Sequence, residues 1–396
     1  GWNEGGCHYL PPKFSWPSAQ KAKSYPLPPD WGQTKTLGHR HLWPGNYASR
    51  LGEKIPAWTP DELIAQEPMA PRDASRMLVL SRDTGAVTHS AVGRLPDYLR
   101  PGDLLVVNNS RVLPARFWVR KVDTGAKIEL LLLRAIGDGR WEALGKPAKK
   151  LAPGSRLEVI DRVSGEPIGE FVNIHERRNY GQIILSFEAQ GEAHLDDFGV
   201  MPLPPYIHRQ LEDPARYQTL YASVPGSAAA PTAGLHLTDE LRDACVAQGA
   251  DWAEVTLHIG LDTFRPVTVE RVADHQIHTE WCSVSDQTTE KIAETKRNGG
   301  RVIAVGTTSA RTLETLGQRL DLEHPAGFSA PTAIFITPGY QWTIVDGMLT
   351  NFHLPKSTLI MMISAFAGKE LVFAAYQEAI AERYRFFSFG DAMLIL

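Results

Sequence analysis

Four short stretches carry side chains able to do chemistry. The first is Ala230-Pro231-Thr232-Ala233-Gly234-Leu235-His236. Its small residues let backbone approach a ligand closely, which makes Thr232 and Gly234 candidate contacts. A histidine closing such a loop can move a proton near neutral pH, so His236 is a candidate base. The second is Val305-Gly306-Thr307-Thr308-Ser309, followed by Arg311. An apolar run that ends at a glycine and opens a helix presents free N–H groups and a positive dipole end, which suits an anion. Gly306, Thr307, Thr308 and Ser309 would form that cradle, and Arg311 would offer a fork to a carboxylate. It is not a triphosphate loop, because G-x-x-x-x-G-K-[ST] is absent. Third, Asn351 and His353 lead into a capped apolar helix. Fourth, the stretch from Arg383 to Asp391 mixes arginines with aromatics. It suits base stacking, or equally a buried strand with a paired Asp391.

Two further groups of histidines need weighing. His258 closes an expected strand, where α/β proteins place ligands. His275 and His278 lie near Glu280 and Cys282. That crowd could support a metallohydrolase reading, but its spacing fits no common zinc signature, and no metal is expected.

The elements that must position these residues are legible in outline. Thr59 is placed to cap a short helix over residues 60–65, with Pro60 at its first turn. Residues 77–80 and 103–109 read as strands. Five short strand-like runs then recur at 117–122, 127–133, 140–144, 156–160 and 183–187, separated by turn residues, as in a small antiparallel barrel or sandwich. After residue 195 the texture becomes strand–loop–helix. Thr238 caps a helix ending near Gln248, strands follow at 252–257 and 301–305, a helix runs from Thr307 to about Leu320, and Ser357 caps another to Ala367. Alternating strands and helices imply a mostly parallel-sheet α/β domain. The expected division is a poorly ordered extension over 1–50, an α/β domain over 51–112 and 193–396, and an inserted β-barrel over 113–192.

Composition narrows the class. The 396 residues are 43% hydrophobic and 22% charged, which excludes wholesale disorder or a fibrous repeat. Three scattered cysteines exclude a disulfide framework and suit a reducing cytoplasm. The apolar run at 359–367 is about half of the ~20 residues that a membrane span needs. Residues 1–50 hold 7 of the 28 prolines and 4 of the 10 tryptophans without periodicity. The net charge is −4, yet residues 111–156 contain eleven Lys and Arg against four acids. Such asymmetry points to a phosphate-facing surface, with Arg116, Lys121, Lys149 and Lys150 as candidate contacts.

Several longer strings occur together in one order: 107–116 (Val107 to Arg116), 146–150, 199–207, 217–221, 230–236, 305–309, 350–355 and 386–393. In these the chain resembles the S-adenosylmethionine:tRNA ribosyltransferase-isomerase family of queuosine biosynthesis, from about Pro60 to the C-terminus. The resemblance implies an α/β domain with an inserted β-barrel. It implies an enzyme that moves and rearranges the ribosyl part of S-adenosylmethionine onto 7-aminomethyl-7-deazaguanine at the tRNA wobble position. Epoxyqueuosine-tRNA, adenine and methionine would be the products. It also implies a cytoplasmic protein that needs no metal and no membrane. On this reading His236 or His258 is the base, Asp391 assists, and Thr307, Thr308 and Arg311 hold the methionyl carboxylate. Asp262 departs from the family, where relatives carry a glycine suited to positive φ. A catalytically inactive tRNA-binding relative is the rival reading.

Overall fold

A computed structural model of the chain describes residues 59–178, 181–189, 194–260, 275, 277, 279–355 and 357–396. The expected extension over 1–50, and the positions of Asp262 and His278, lie outside the described residues.

In chain order the elements begin with β1 (Arg76–Leu80), β2 (Val87–Ala91), β3 (Leu104–Asn108) and β4 (Ser110–Val112). Six strands follow: β5 (Arg116–Lys121), β6 (Lys127–Gly137), β7 (Arg140–Lys146), β8 (Arg156–Ile160), β9 (Pro167–Arg177) and β10 (Gln182–Phe187). Then come α1 (Leu195–Phe198), β11 (Val224–Ser227), α2 (Asp239–Ala247), β12 (Asp251–Leu257), β13 (Glu280–Val284) and α3 (Asp286–Arg297). The chain continues through β14 (Val302–Val305), α4 (Thr307–Gly317), β15 (Phe328–Thr332) and β16 (Gly347–Asn351). It closes with α5 (Thr358–Ala367), α6 (Lys369–Ala381) and β17 (Ala392–Ile395).

Nine strands form one sheet in the order β15-β13-β12-β3-β14-β16-β17-β1-β2. The parallel pairing implied by strand–helix alternation holds for the central run β12-β3-β14-β16 and again for β17 with β1. The flanks are antiparallel, so the sheet is mixed. Strands β3, β14 and β16 are buried along their whole length, as unbroken apolar runs in a two-sided sheet should be. Their side chains alternate between two cores. Leu104, Val106, Val302, Ala304 and Met348 pack with the buried faces of α3 to α6. Leu105, Val107, Ile303, Val305 and Leu349 face α2 and the short turn-helix around Leu95. The last strand, β17, lies in the interior of the sheet between β16 and β1.

Strands β5 to β10 close into a barrel, ordered β10-β7-β6-β5-β8-β9. Its core includes Phe117, Val119, Leu130, Leu132, Leu157 and Val172. The chain enters at Arg116 and leaves beside it, where Arg116 and Val200 exchange backbone hydrogen bonds. The barrel has a sixth strand, β9, which the sequence pattern does not announce. Only two of its eleven residues, Val172 and Ile174, are fully buried, so the apolar alternation is too short to stand out.

Capping residues act where their types indicate. Thr238 accepts from the N–H of Leu241 and Ser357 from that of Ile360. The helix expected over 60–65 is instead a single 3-10 turn, Asp61–Leu63, and Thr59 caps nothing. The reason is tertiary: Ile64 leaves the turn to pair with Phe386, and the N–H of Phe386 donates to Leu63. The stretch from Arg383 to Asp391 is not a strand either. It turns through Arg383 and Phe387, both at positive φ, before β17 begins.

Candidate active site

Because β3, β12, β14 and β16 run the same way, their carboxyl ends emerge along one edge, the usual ligand edge of such a sheet. A cleft opens there. Its walls are Ile259 beyond β12, Gly306, Thr307 and Thr308 at the start of α4, and Asn351 to Leu354 beyond β16. Residues 230–233 line it too, and Tyr206, Phe387 and Ser388 contribute from elsewhere in the chain. Gly306 makes the sharp passage from β14 into α4 at φ +91°, a conformation that a side chain would strain.

A hydrogen-bonded chain runs through the cleft wall. The Thr232 hydroxyl donates to Asn351 Oδ1 at 3.1 Å. That turns the Asn351 amide nitrogen toward His236 Nε2, also 3.1 Å away. The imidazole therefore accepts at Nε2 and carries its proton on Nδ1. Burial first, then the charges of Arg385 and Arg72, push the pKa of His236 down to about 4, so the ring is neutral at pH 7. His236 does not line the cleft and reaches it through Asn351.

His353 is on the cleft wall itself. Its Nε2 lies 2.7 Å from the Thr350 hydroxyl, and its backbone N–H donates to Tyr376 Oη. Burial pushes its pKa down to about 3, which also leaves it neutral. His258 is a neighbour of the cleft rather than part of its lining. Its Nδ1 is 2.8 Å from Ser110 Oγ, its ring stacks on Trp281 at 5.1 Å, and burial lowers its pKa. A Cβ on Gly226 would come within 2.8 Å of that ring.

The remaining sequence candidates separate. Thr232, Gly306, Thr307, Thr308 and Asn351 converge on the cleft. Ser309 does not, since its hydroxyl turns back to the carbonyl of Val305. Gly234 is a packing glycine, whose Cβ would collide with the Tyr221 hydroxyl. Asp391 is 1% exposed and holds backbone, accepting from the N–H groups of Arg76 and Arg385. Arg311 is also buried. It forms an ion pair with Glu280 in a second pocket that shares Thr307, Thr308 and Leu359 with the first. Glu314 on α4 escapes the sequence reading, and Glu280 figures in it only beside His275, His278 and Cys282. Glu314 accepts from Tyr340 Oη, from the Thr343 N–H and hydroxyl, and from the N–H groups of Ile344 and Val345. It thereby ties α4 to the segment feeding β16. Tyr206 and Ser388, joined at 2.7 Å, stand in two of the strings that carry the resemblance.

On the barrel, Arg116 faces Glu129 at 3.6 Å and Lys121 faces Asp123 at 3.2 Å. Lys149 and Lys150 are exposed on a short turn at 148–150. The positive surplus shrinks when the whole insert is counted: residues 113–192 hold thirteen Lys and Arg against eleven Asp and Glu. The acids that balance it, Glu158, Glu176 and Glu188, lie beyond residue 156 and pair with Arg120, Arg178 and Arg156. Cys282 is buried and its thiol is pushed up to about 11, while His275 lies against the Phe335 ring. Among the described residues no three His, Cys, Asp or Glu are grouped to hold a metal ion, and no single helix is long and apolar enough to cross a membrane.

The model of the queuosine biosynthesis protein family matches residues 58–395. The chain belongs to that family. Among relatives, the S-adenosylmethionine:tRNA ribosyltransferase-isomerase of Symbiobacterium thermophilum is 51% identical over 339 residues, which is 85% of this chain and 97% of that one. The crystal structure of the S-adenosylmethionine tRNA ribosyltransferase from Thermotoga maritima is 38% identical, with 85% of this chain and 98% of that one covered and a TM-score of 0.49. The cleft described above is thus a candidate ligand site in a queuosine biosynthesis protein.

Proposed function

We propose that this family member is an S-adenosylmethionine:tRNA ribosyltransferase-isomerase. It acts in the cytoplasm on tRNA bearing 7-aminomethyl-7-deazaguanine at the wobble position. The observation that carries the reading is the cleft at the carboxyl edge of the parallel strands, where neutral imidazole, amide and hydroxyl groups meet the start of α4. The 51% identity with an enzyme of that name supports it.

The chemistry asks little of metals and much of position. A sulfonium acidifies the C5′ hydrogens beside it. Removal of one proton gives an ylide that expels adenine. The RNA amine then attacks the opened sugar, and attack by a ring hydroxyl expels methionine and closes the epoxide. The protein must supply a proton acceptor, a donor toward the leaving adenine, and shelter from water. His353 lines the cleft with a neutral ring; burial makes that ring a weaker base than free imidazole, so its part rests on sitting within reach of the proton rather than on basicity. His236 positions Asn351, and His258 stands at the rim with Ser110. Thr307 and Thr308 supply hydroxyls at the positive end of α4. Arg116, Lys121, Lys149 and Lys150 contact RNA phosphate, and the target base is splayed from its loop into the cleft.

Adenine release tests this. Purified protein with S-adenosylmethionine should free adenine when given tRNA carrying the aminomethyl base and not when given unmodified tRNA. No release with either would leave an inactive RNA-binding relative. His353→Ala should slow release more than tenfold, about 1.4 kcal/mol of barrier. If His258→Ala alone does so, the proton acceptor is at the rim.

A further inference from the structure

We infer that Asn108 is a positioning residue of the cleft: it holds the Thr308 hydroxyl as a hydrogen donor turned toward the substrate. This deepens the proposed reaction and rests on it. Asn108 lies in the string 107–116, where the sequence reading gives a role to Arg116 alone.

The side chain stands at the carboxyl end of β3, wholly buried, and uses every hydrogen-bonding position it has. Its Oδ1 accepts from the backbone N–H of Leu257 at 3.0 Å and from that of Ser110 at 3.1 Å. Its Nδ2 donates to the Leu257 carbonyl at 3.0 Å and to Thr308 Oγ1 at 3.2 Å. Leu257 settles which end of the amide is which. A backbone N–H can only donate and a carbonyl can only accept, so the amide cannot turn over without losing both bonds. One side chain thus ties the ends of β3 and β12 to the start of α4.

This fixes what Thr308 can do. An amide nitrogen does not accept, so Thr308 Oγ1 is the acceptor and its own hydrogen must go elsewhere. Other hydroxyls of α4 have a local outlet. Ser309, Thr312 and Thr315 each donate to the carbonyl four residues earlier. Thr308 donates to no acceptor among the described residues, and it stands on the wall of both pockets. Its hydrogen is therefore held ready for a lone pair on an oxygen or nitrogen atom that the substrate brings. A donor aimed before the ligand arrives need not reorganise when it binds.

The test is a double-mutant cycle read as kcat/KM for adenine release, with precursor tRNA saturating. Asn108→Asp keeps Oδ1 for Leu257 and Ser110 and puts oxygen in place of the amide nitrogen. Ionised, that oxygen accepts from Thr308. Protonated, it gives its one hydrogen to the Leu257 carbonyl and still accepts from Thr308. In both states the Thr308 hydrogen turns inward. Asn108→Asp and Thr308→Val should each lower kcat/KM about tenfold or more, and the double variant should lie within about threefold of the worse single. Thr308→Ser, which keeps the hydroxyl, should stay within about threefold of wild type. A role in folding alone would make the losses multiply and leave Thr308→Val harmless. Either result, or a Thr308→Ser as poor as Thr308→Val, overturns the assignment. If Asn108→Asp does not melt as a folded protein, Asn108→Ser, too short to reach Thr308, replaces it in the cycle with the same expected coupling. Wild type that frees no adenine overturns the proposed reaction instead, and calorimetry with S-adenosylmethionine then decides on Asn108. Weaker binding by Asn108→Asp and Thr308→Val, with Thr308→Ser intact, upholds the donor, and equal affinities or no binding overturn it.

Discussion

The cleft and the barrel are built from the same polar residue types and use them in opposite ways. On the barrel, charged side chains stand partly in water and pair across neighbouring strands, as Arg120 does with Glu158 at 2.7 Å and Arg116 with Glu129 at 3.6 Å. Solvent screens such pairs, so they shape a surface without storing much energy. At the sheet edge, His236, Asn351, Arg311 and Glu314 are almost wholly buried, and each is committed to named partners. Burial turns ordinary side chains into chemistry: it strips two histidines of their usual basicity and leaves hydroxyls and amides aimed in fixed directions. The two regions thus spend polar groups differently, the barrel on a screened surface and the sheet edge on a fixed buried network.

That contrast can be broken at its strongest point first. Glu314→Ala should cost roughly 3–5 kcal/mol in chemical denaturation, because it leaves backbone and hydroxyl donors near residues 340–345 buried and unmet. A cost near zero would mean that the buried polar network carries no weight. The second effect is pH-dependent. His236 has a folded pKa of about 4 against an ordinary 6.5, so the unfolded chain takes up the proton first as pH falls. Its contribution is complete above pH 6.5 and is lost on the way down to 4, roughly 3 kcal/mol in all. Denaturation midpoints followed over that window should fall less steeply in His236→Gln than in wild type. The smallest effect belongs to the barrel. Lys149→Ala with Lys150→Ala should leave the melting midpoint unchanged. They should weaken tRNA binding and lower the slope of log K against log salt by roughly 0.7 for each RNA phosphate no longer neutralised. An unchanged slope would take that turn out of the RNA interface.

How far the sequence announces these features depends on the range of the contacts involved. Helix starts at Thr238 and Ser357 are local events and are legible. So is the passage from β14 through Gly306 into α4, where an apolar run, a glycine and hydroxyls adjoin. The face of a helix on which a hydroxyl ends is not legible, and Ser309 points away from the site that its neighbours line. Glu280 and Glu314 look like surface acids in one dimension. Arg311 is 31 residues from Glu280, and the donors to Glu314 lie 26 to 31 residues beyond it, so no local pattern marks either. Asp391 is legible as a paired buried acid, yet its role is to hold the turn before β17. The barrel's charge surplus over 111–156 belongs to a window that stops short of the acids folding back to meet it.

The placement of β17 sets an order of assembly. Its neighbour β1 is joined to it across more than three hundred residues, and the Asp391 carboxylate beside it meets the Arg76 N–H over a separation of 315. Barrel hairpins are neighbours in sequence and can close early, whereas the sheet cannot knit β1 and β2 to its centre until this late strand arrives. During synthesis β1 and β2 must wait, half-covered, for a partner made more than three hundred residues later. A chain cut short before residue 392 would therefore lack the strand that joins β1 and β2 to the rest of the sheet.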